Sequence, residues 1–275
     1  MERYDALKLM EYNAGFEIGH FYSPIPNLDE IKERQDKIFN DDDLLDIDLN
    51  EAKQWELLNE LQKYYSLYPY KSEHPNDQQK RYQPGKDVFY RFSDAVFLFC
   101  MLMHIKPNKI IEVGSGHSSA IMLDTNETFL ENSMHCTFID PNPEHRLHSI
   151  MKAEDEKKHR FLNEKVQDIN TDLFRELSDS DILFIDSTHV SKVGSDVNHL
   201  LFKIFPILQP GVIIHIHDIF YPFEYPREWI FKGKMFWNEN YILRAFLMNN
   251  PGYKILLFNT YLQKQFKPWF ESNMP

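Results

Sequence analysis

Glycine, cysteine, positive charge and long apolar runs are all scarce in this chain. Nine glycines stand among 275 residues, about half the usual ~7%, so each should occupy a place that another residue serves poorly. Two cysteines, Cys100 and Cys136, are too few for the disulfide framework of a small secreted protein. Both lie in apolar stretches (FLFCMLM and MHCTFID) and are expected as buried thiols. Basic residues number 30 against 42 acidic ones, a formal net charge of −12. That balance disfavours a nucleic-acid partner, because neutralising a phosphate backbone needs a basic surface. No apolar run reaches the ~18 residues of a membrane span; the longest, 95–103, is closed by His104 and Lys106. The opening stretch MERYDALKLMEYNAGFEIGH lacks the basic-then-apolar pattern of a signal peptide. A soluble, cytoplasmic protein without a membrane partner is therefore expected. What is present is ample apolar content, 43%, with 15% aromatics. This suits a packed core and excludes wholesale disorder.

The length fits one large domain, or one domain with an appended cap. Residues 1–92 carry the acidic run Asp41, Asp42 and Asp43, an amphipathic stretch over 49–65, Tyr/Pro-rich connectors and a polar loop over 75–84. They are expected to form a mainly helical cap, leaving 93–275 as the principal domain. From Ser93-Asp94, which can cap a helix running to about His104, the pattern changes. Short β-rich runs over 109–113, 136–139, 181–185, 212–216 and 253–258 alternate with helical segments over 118–124, 143–152, 171–177, 196–208 and 237–249. Such alternation implies a mostly parallel, doubly wound α/β sheet covered on both faces. In such sheets the ligand lies beyond the carboxyl ends of the strands. Here those ends read Glu112 with Gly114, then Asp140, Asp186 and His217-Asp218.

The segment Ile110-Ile111-Glu112-Val113-Gly114-Ser115-Gly116-His117-Ser118-Ser119 reads as a strand, a tight glycine turn and a helix start. Gly114 and Gly116 permit positive φ and close approach of a ligand to backbone, and Ser118 or Ser119 can cap the helix. A nicotinamide site wants G-x-G-x-x-G with an acid ~20 residues on. Asp140 lies 24 residues past Gly116, but Ser119 stands where the third glycine would be. Pyrophosphate would also meet Glu112, whereas S-adenosylmethionine has no phosphate and a cationic methionyl end, which Glu112 suits as a cofactor-binding residue.

Glu112-Val113-Gly114-Ser115-Gly116, followed by Asp140 and the 181–185 strand, resembles the class I S-adenosylmethionine-dependent methyltransferases over roughly 90–260. The resemblance implies a Rossmann-like fold, with Gly114, Ser115 and Gly116 under the methionyl part and Asp140 on the ribose hydroxyls. It also places Asp168, in Val166-Gln167-Asp168, as a candidate adenine contact; a loop or capping role is the alternative.

Asp186-Ser187-Thr188-His189 and His215-Ile216-His217-Asp218 end neighbouring strands in this topology. Asp186, His217 and Asp218 can converge on one divalent cation, and imidazole suits zinc, manganese or iron better than magnesium. A cation would acidify an acceptor hydroxyl, and His189 is the candidate general base. The arrangement is similar to the metal-dependent sugar O-methyltransferases of macrolide biosynthesis, with His217-Asp218 replacing their acidic pair. The S-D-V-N and H-I-H-D-I-F-Y-P-F-E-Y-P segments also resemble a group of bacterial methyltransferases of unassigned substrate. Methyl transfer to a small-molecule acceptor, a hydroxyl of a sugar or natural product, is the function this implies. A nicotinamide oxidoreductase and a non-catalytic partner protein are the alternatives, and a homodimer is compatible with the aromatic content.

Several neighbours carry two readings. His215 shares a face with His217 and suits a core histidine. Asp196 can cap the helix starting at Val197. Glu224 can close the site or pack. Asn238 can cap a helix or touch substrate, and Tyr22 can cover the cofactor.

Overall fold

Apolar runs at the centre of the chain pair into one all-parallel sheet of order β3-β2-β1-β4-β5. The computed structural model describes residues 16–40, 44–70, 80–84 and 90–274. The strands are β1 Lys109–Val113, β2 His135–Ile139, β3 Arg160–Leu162, β4 Ile182–Ile185 and β5 Ile213–Ile216. Ile110 faces Cys136 and Ile182 in register, and Phe184 faces His215. Side chains alternate between the two faces. Ile110, Cys136, Phe138, Ile182 and Phe184 enter one core; Ile111, Val113, Ile139, Leu183 and Ile185 enter the other.

Helices α2 (Glu51–Tyr65), α3 (Phe92–Ile105) and α4 (His117–Phe129) contribute to the first core. The second is covered by Val166, Leu173 and Phe174 from short 3₁₀ turns and by a continuous helical run. That run comprises α5 (Asp196–His199), a π segment over Leu200–Ile204 and a 3₁₀ turn at Phe205–Ile207. Both cysteines are buried and free. An amino-terminal helix, α1 (Leu28–Ile38), has no buried residue. The chain closes with α6 (Glu239–Leu247), α7 (Asn259–Gln265) and α8 (Lys267–Asn273). Among the described residues no helix is long and apolar enough to cross a membrane. The acidic run at Asp41, Asp42 and Asp43, and residues 75–79 of the polar loop, lie outside the described residues.

One expected strand and one expected helix start are corrected. Residues 253–258 form no strand. Their backbone is met by side chains of the amino-terminal part instead: Asn50 Nδ2 donates to the Ile255 carbonyl (2.9 Å) and Gln54 Oε1 accepts from the Phe258 amide (2.6 Å). Gln54 also donates to the Leu49 carbonyl (2.6 Å), so one buried amide ties the start of α2 to the segment 253–258. In place of 253–258 the sheet gains β3, a three-residue edge strand. The helix expected from Ser93-Asp94 begins at Phe92, with Arg91 as the cap residue.

A buried ion cluster pins the segment before α3. The Arg81 side chain is 4% exposed, and its guanidinium reaches Asp124 (2.9 Å), Asp155 (2.6 Å) and Glu127 (2.6 Å). The Asp124 carboxylate also accepts from the Tyr70 hydroxyl and the Tyr82 amide.

Candidate active site

Beyond the carboxyl ends of β1, β2 and β4 lies a pocket of about 520 Å³, within the usual range for small-molecule sites. Its floor is the β1–α4 turn. Gly114 has φ +84°, and a Cβ there would fall on the carbonyl oxygen of Asp186, so only glycine fits. Gly116, which permits positive φ, is extended instead (φ 174°); a Cβ would meet only the flexible Arg146 side chain, 3.2 Å away. Ser119 Oγ accepts from the Gly116 amide (2.9 Å) and closes the first turn of α4.

Glu112 lies beneath this turn, 0% exposed, and does not line the pocket. Its two oxygens are bonded by Ser118 Oγ (2.5 Å) and Ser119 Oγ. Burial pushes the Glu112 carboxyl up to about 8 despite those hydroxyls. At neutral pH it is an uncharged brace and not an anion facing a ligand. The case against pyrophosphate therefore passes from Glu112 to Ser119, whose hydroxyl is committed where a third glycine would be needed.

Asp140 forms the opposite wall. Its carboxylate accepts from the Ser115 amide (2.9 Å) and the Asn142 amide (2.7 Å), which orients it toward the cavity. Ser115 Oγ and Ser187 Oγ are buried without a hydrogen-bond partner among the described residues, and both residues line the pocket. A fold seldom keeps such groups unsatisfied unless a ligand completes them. After β3 the pocket wall is formed by Lys165, Val166 and Gln167. Asp168 is exposed and outside the wall, while Gln167 Nε2 donates to the Gly194 carbonyl (2.8 Å). The turn thus presents the residue beside the one expected.

Asp186 ends β4 and borders the cavity; His189, His217 and Asp218 lie outside its lining. His189 is 5% exposed. Its Nδ1 lies 2.9 Å from Glu239, and its Nε2 lies 3.4 Å from Asp186 and 3.7 Å from Asp218. Trp237 packs against the ring (centroids 4.5 Å apart), and the His189 carbonyl accepts from the Asn238 and Glu239 amides at the start of α6. Burial alone would lower the His189 pKa, but Asp186 and Glu239 outweigh it and raise it to about 10. Burial raises and His189 lowers the Asp186 carboxyl, with a net downward shift. His189 and Asp218 both adopt left-handed backbone (φ 59° and 56°), strain that concentrates at functional sites.

This geometry bears on two expectations. As a general base His189 would take a proton, but in this setting it already carries one at neutral pH. As a metal centre Asp186, His217 and Asp218 would converge, but the His189 ring reaches both carboxylates, and His217 Nε2 stands 3.5 Å from Asp218. Among the described residues no group of three or more His, Cys, Asp or Glu is arranged to hold a metal ion. The His189 ring stands between the Asp186 and Asp218 carboxylates.

Other candidates are placed as follows. His215 stacks on Phe184 (4.0 Å, 7°), with burial lowering its pKa to about 3, which makes it a neutral packing residue. Asp196 is not the cap of α5: Ser195 accepts from the Asn198 amide, and Asp196 binds the Thr188 amide and hydroxyl (3.0 and 2.6 Å) at the pocket rim. Glu224 accepts from the Tyr241 hydroxyl and the Tyr225 amide. Asn238 makes no side-chain cap; its amide pairs with the Ser191 backbone (2.6 and 3.1 Å). Tyr22 is 66% exposed and outside the pocket lining. Glu239 and Tyr90 were not singled out by sequence, although Glu239 lies next to the flagged Asn238.

A family model described as a methyltransferase domain matches residues 111–219, from β1 to just past Asp218. An uncharacterized protein of Archaeoglobus fulgidus is 33% identical over 168 residues, covering 60% of this chain and 75% of that protein. Residues 111–219 therefore carry a methyltransferase domain. The matched span includes the glycine turn, Asp140, Asp186 and the β5 end, but stops short of Glu239 and begins after Tyr90. Those two residues reach the site from segments outside it. The pocket suits the cofactor that such a family implies: Gly114 leaves room for close approach, Asp140 offers a carboxylate for paired hydroxyls, and unsatisfied serine hydroxyls line the wall.

Proposed function

We propose that the chain transfers a methyl group from S-adenosylmethionine to a hydroxyl of a small-molecule acceptor, a sugar or natural product. The observation that carries this reading is the pocket walled by Gly114, Ser115, Asp140 and Asp186, with the His189 cluster directly behind Asp186. When bound, the cofactor supplies an electrophilic methyl on a cationic sulfur. The chain's own task is to orient the acceptor in line and to remove its proton.

An acceptor oxygen becomes strongly acidic as its bond to methyl forms, so a carboxylate is base enough. His189, already protonated, offsets and orients Asp186 and Asp218, and the proton passes to one of those carboxylates. Burial raises the Asp218 carboxyl above the ordinary range even with His217 and His189 beside it, which improves it as an acceptor. No step is routed through a metal, because the donor groups are not disposed around one. Calorimetry with S-adenosylmethionine and S-adenosylhomocysteine tests the cofactor assignment, and absence of binding by either overturns it. A screen of sugars and small hydroxylated metabolites, read by S-adenosylhomocysteine release, tests the acceptor class.

A further inference from the structure

Tyr90 closes the pocket on the α3 side and belongs to neither the glycine turn nor the His189 cluster. The residue is 3% exposed, and its hydroxyl is buried with no hydrogen-bond partner among the described residues. Leaving a buried hydroxyl unpaired costs stability, and phenylalanine would fill nearly the same volume without that cost. The hydroxyl is therefore a feature that an apolar core does not explain.

Its position is well fixed. The Tyr82 hydroxyl donates to the Tyr90 carbonyl (2.7 Å). The Tyr90 ring stacks on His217 (5.0 Å, 28°), His217 stacks toward His215 (6.0 Å, 23°), and His215 stacks on Phe184. This column of four rings runs from the pocket into the sheet face. Tyr90 shares the pocket wall with Gly114, Ser115 and Asp186, and the negative charges acting on its hydroxyl come from Asp94 and Asp186. Burial keeps the phenol protonated well beyond its ordinary range. Its free lone pairs, set among carboxylates, match a ligand group that is both cationic and rich in N–H donors.

We propose that Tyr90 is a cofactor-binding residue whose hydroxyl accepts a hydrogen bond from the ammonium of the cofactor's methionyl arm, with Asp186 in the same wall supplying the opposing charge. The inference rests on the methyl-transfer reading and names one contact within it. The test is calorimetry on the full chain with S-adenosylhomocysteine and its deaminated analogue, for the wild type and Tyr90→Phe. Loss of a hydrogen bond to a charged group corresponds to about a tenfold loss in affinity, 1.4 kcal/mol. Tyr90→Phe should weaken S-adenosylhomocysteine about tenfold and leave the analogue nearly unchanged, with no drop in melting temperature. Equal weakening of both ligands, or of neither, overturns the proposal. The wild type alone provides a second check: if removing the amino group does not weaken binding, the proposal fails whatever the variant does. Failure of the wild type to bind S-adenosylhomocysteine at all overturns the methyl-transfer reading itself.

Discussion

Replacing Glu112 with glutamine should alter the pH dependence of stability more than stability itself. Glu112 is fully buried and its carboxyl is raised from 4.5 to about 8. Between those values the folded protein holds a proton that the unfolded chain has released, so stability falls as pH rises. The slope is about 1.4 kcal/mol per pH unit, and the loss across the window reaches roughly 5 kcal/mol. It is flat below about pH 4.5 and above about pH 8. Glutamine has no proton to release, so this component disappears. The amide adds only a constant offset from its changed bonding to Ser118 and Ser119. Urea unfolding of both proteins at pH 5, 6.5 and 8 gives the difference curve. The variant should gain several kcal/mol on the wild type between pH 5 and pH 8, about 10 °C in melting temperature at roughly 2–4 °C per kcal/mol. A difference that stays constant within about 1 kcal/mol would show that Glu112 is ionised in the fold, and the uncharged brace would be wrong.

Gly114→Ala should abolish S-adenosylhomocysteine binding and lower stability. Alanine at φ +84° costs about 1–2 kcal/mol before its Cβ meets the Asp186 carbonyl, and calorimetry with thermal melting reads both effects. Arg81→Met should cost about 3–5 kcal/mol, because Asp124 and Asp155 are left buried without their cation; a melting shift below about 3 °C would refute the cluster's role. Glu239→Gln should lower the His189 pKa from about 10. His189 contributes stability that is complete below about pH 6.5 and lost as pH rises through its folded value, so the variant loses it at lower pH; NMR titration of the imidazole follows this directly. Dialysis against a chelator should leave S-adenosylhomocysteine affinity unchanged, since His189 occupies the space between Asp186 and Asp218.

Four strands were legible because buried parallel strands are nearly continuous apolar runs, and β1, β2, β4 and β5 are such runs. Arg160–Leu162 is too short to announce itself and has only two apolar residues. The stretch 253–258 misled for the opposite reason: its half-buried residues alternate as a strand's would (Tyr253, Ile255, Leu257), whereas its backbone partners are side chains of Asn50 and Gln54. Strand ends gave Gly114, Asp140 and Asp186, because the topology itself delivers those residues to one edge. Nothing local identifies Glu239, which meets His189 across 50 intervening positions, or Tyr90, which arrives from before α3. At the turn after β3 the pocket wall carries Gln167 and not the neighbouring Asp168, a difference of one position that the spacing alone does not record. The charge state of Glu112 and of His189 was equally hidden, since it depends on burial and neighbours that no spacing records.

The amide of Gln54 links Leu49 to Phe258, contacts separated by 204 positions in the second case. Such a contact cannot form until residues up to 258 have left the ribosome, and long-range closures of this kind slow folding. The sheet, with pairings confined to 109–216, can assemble earlier. The expected order of events is therefore a sheet carrying a half-walled pocket first, and α2 locked against the 253–258 segment last. During that interval the apolar surfaces of 253–258 and of α2 would be exposed together, making this late closure the step at which a chaperone would matter most.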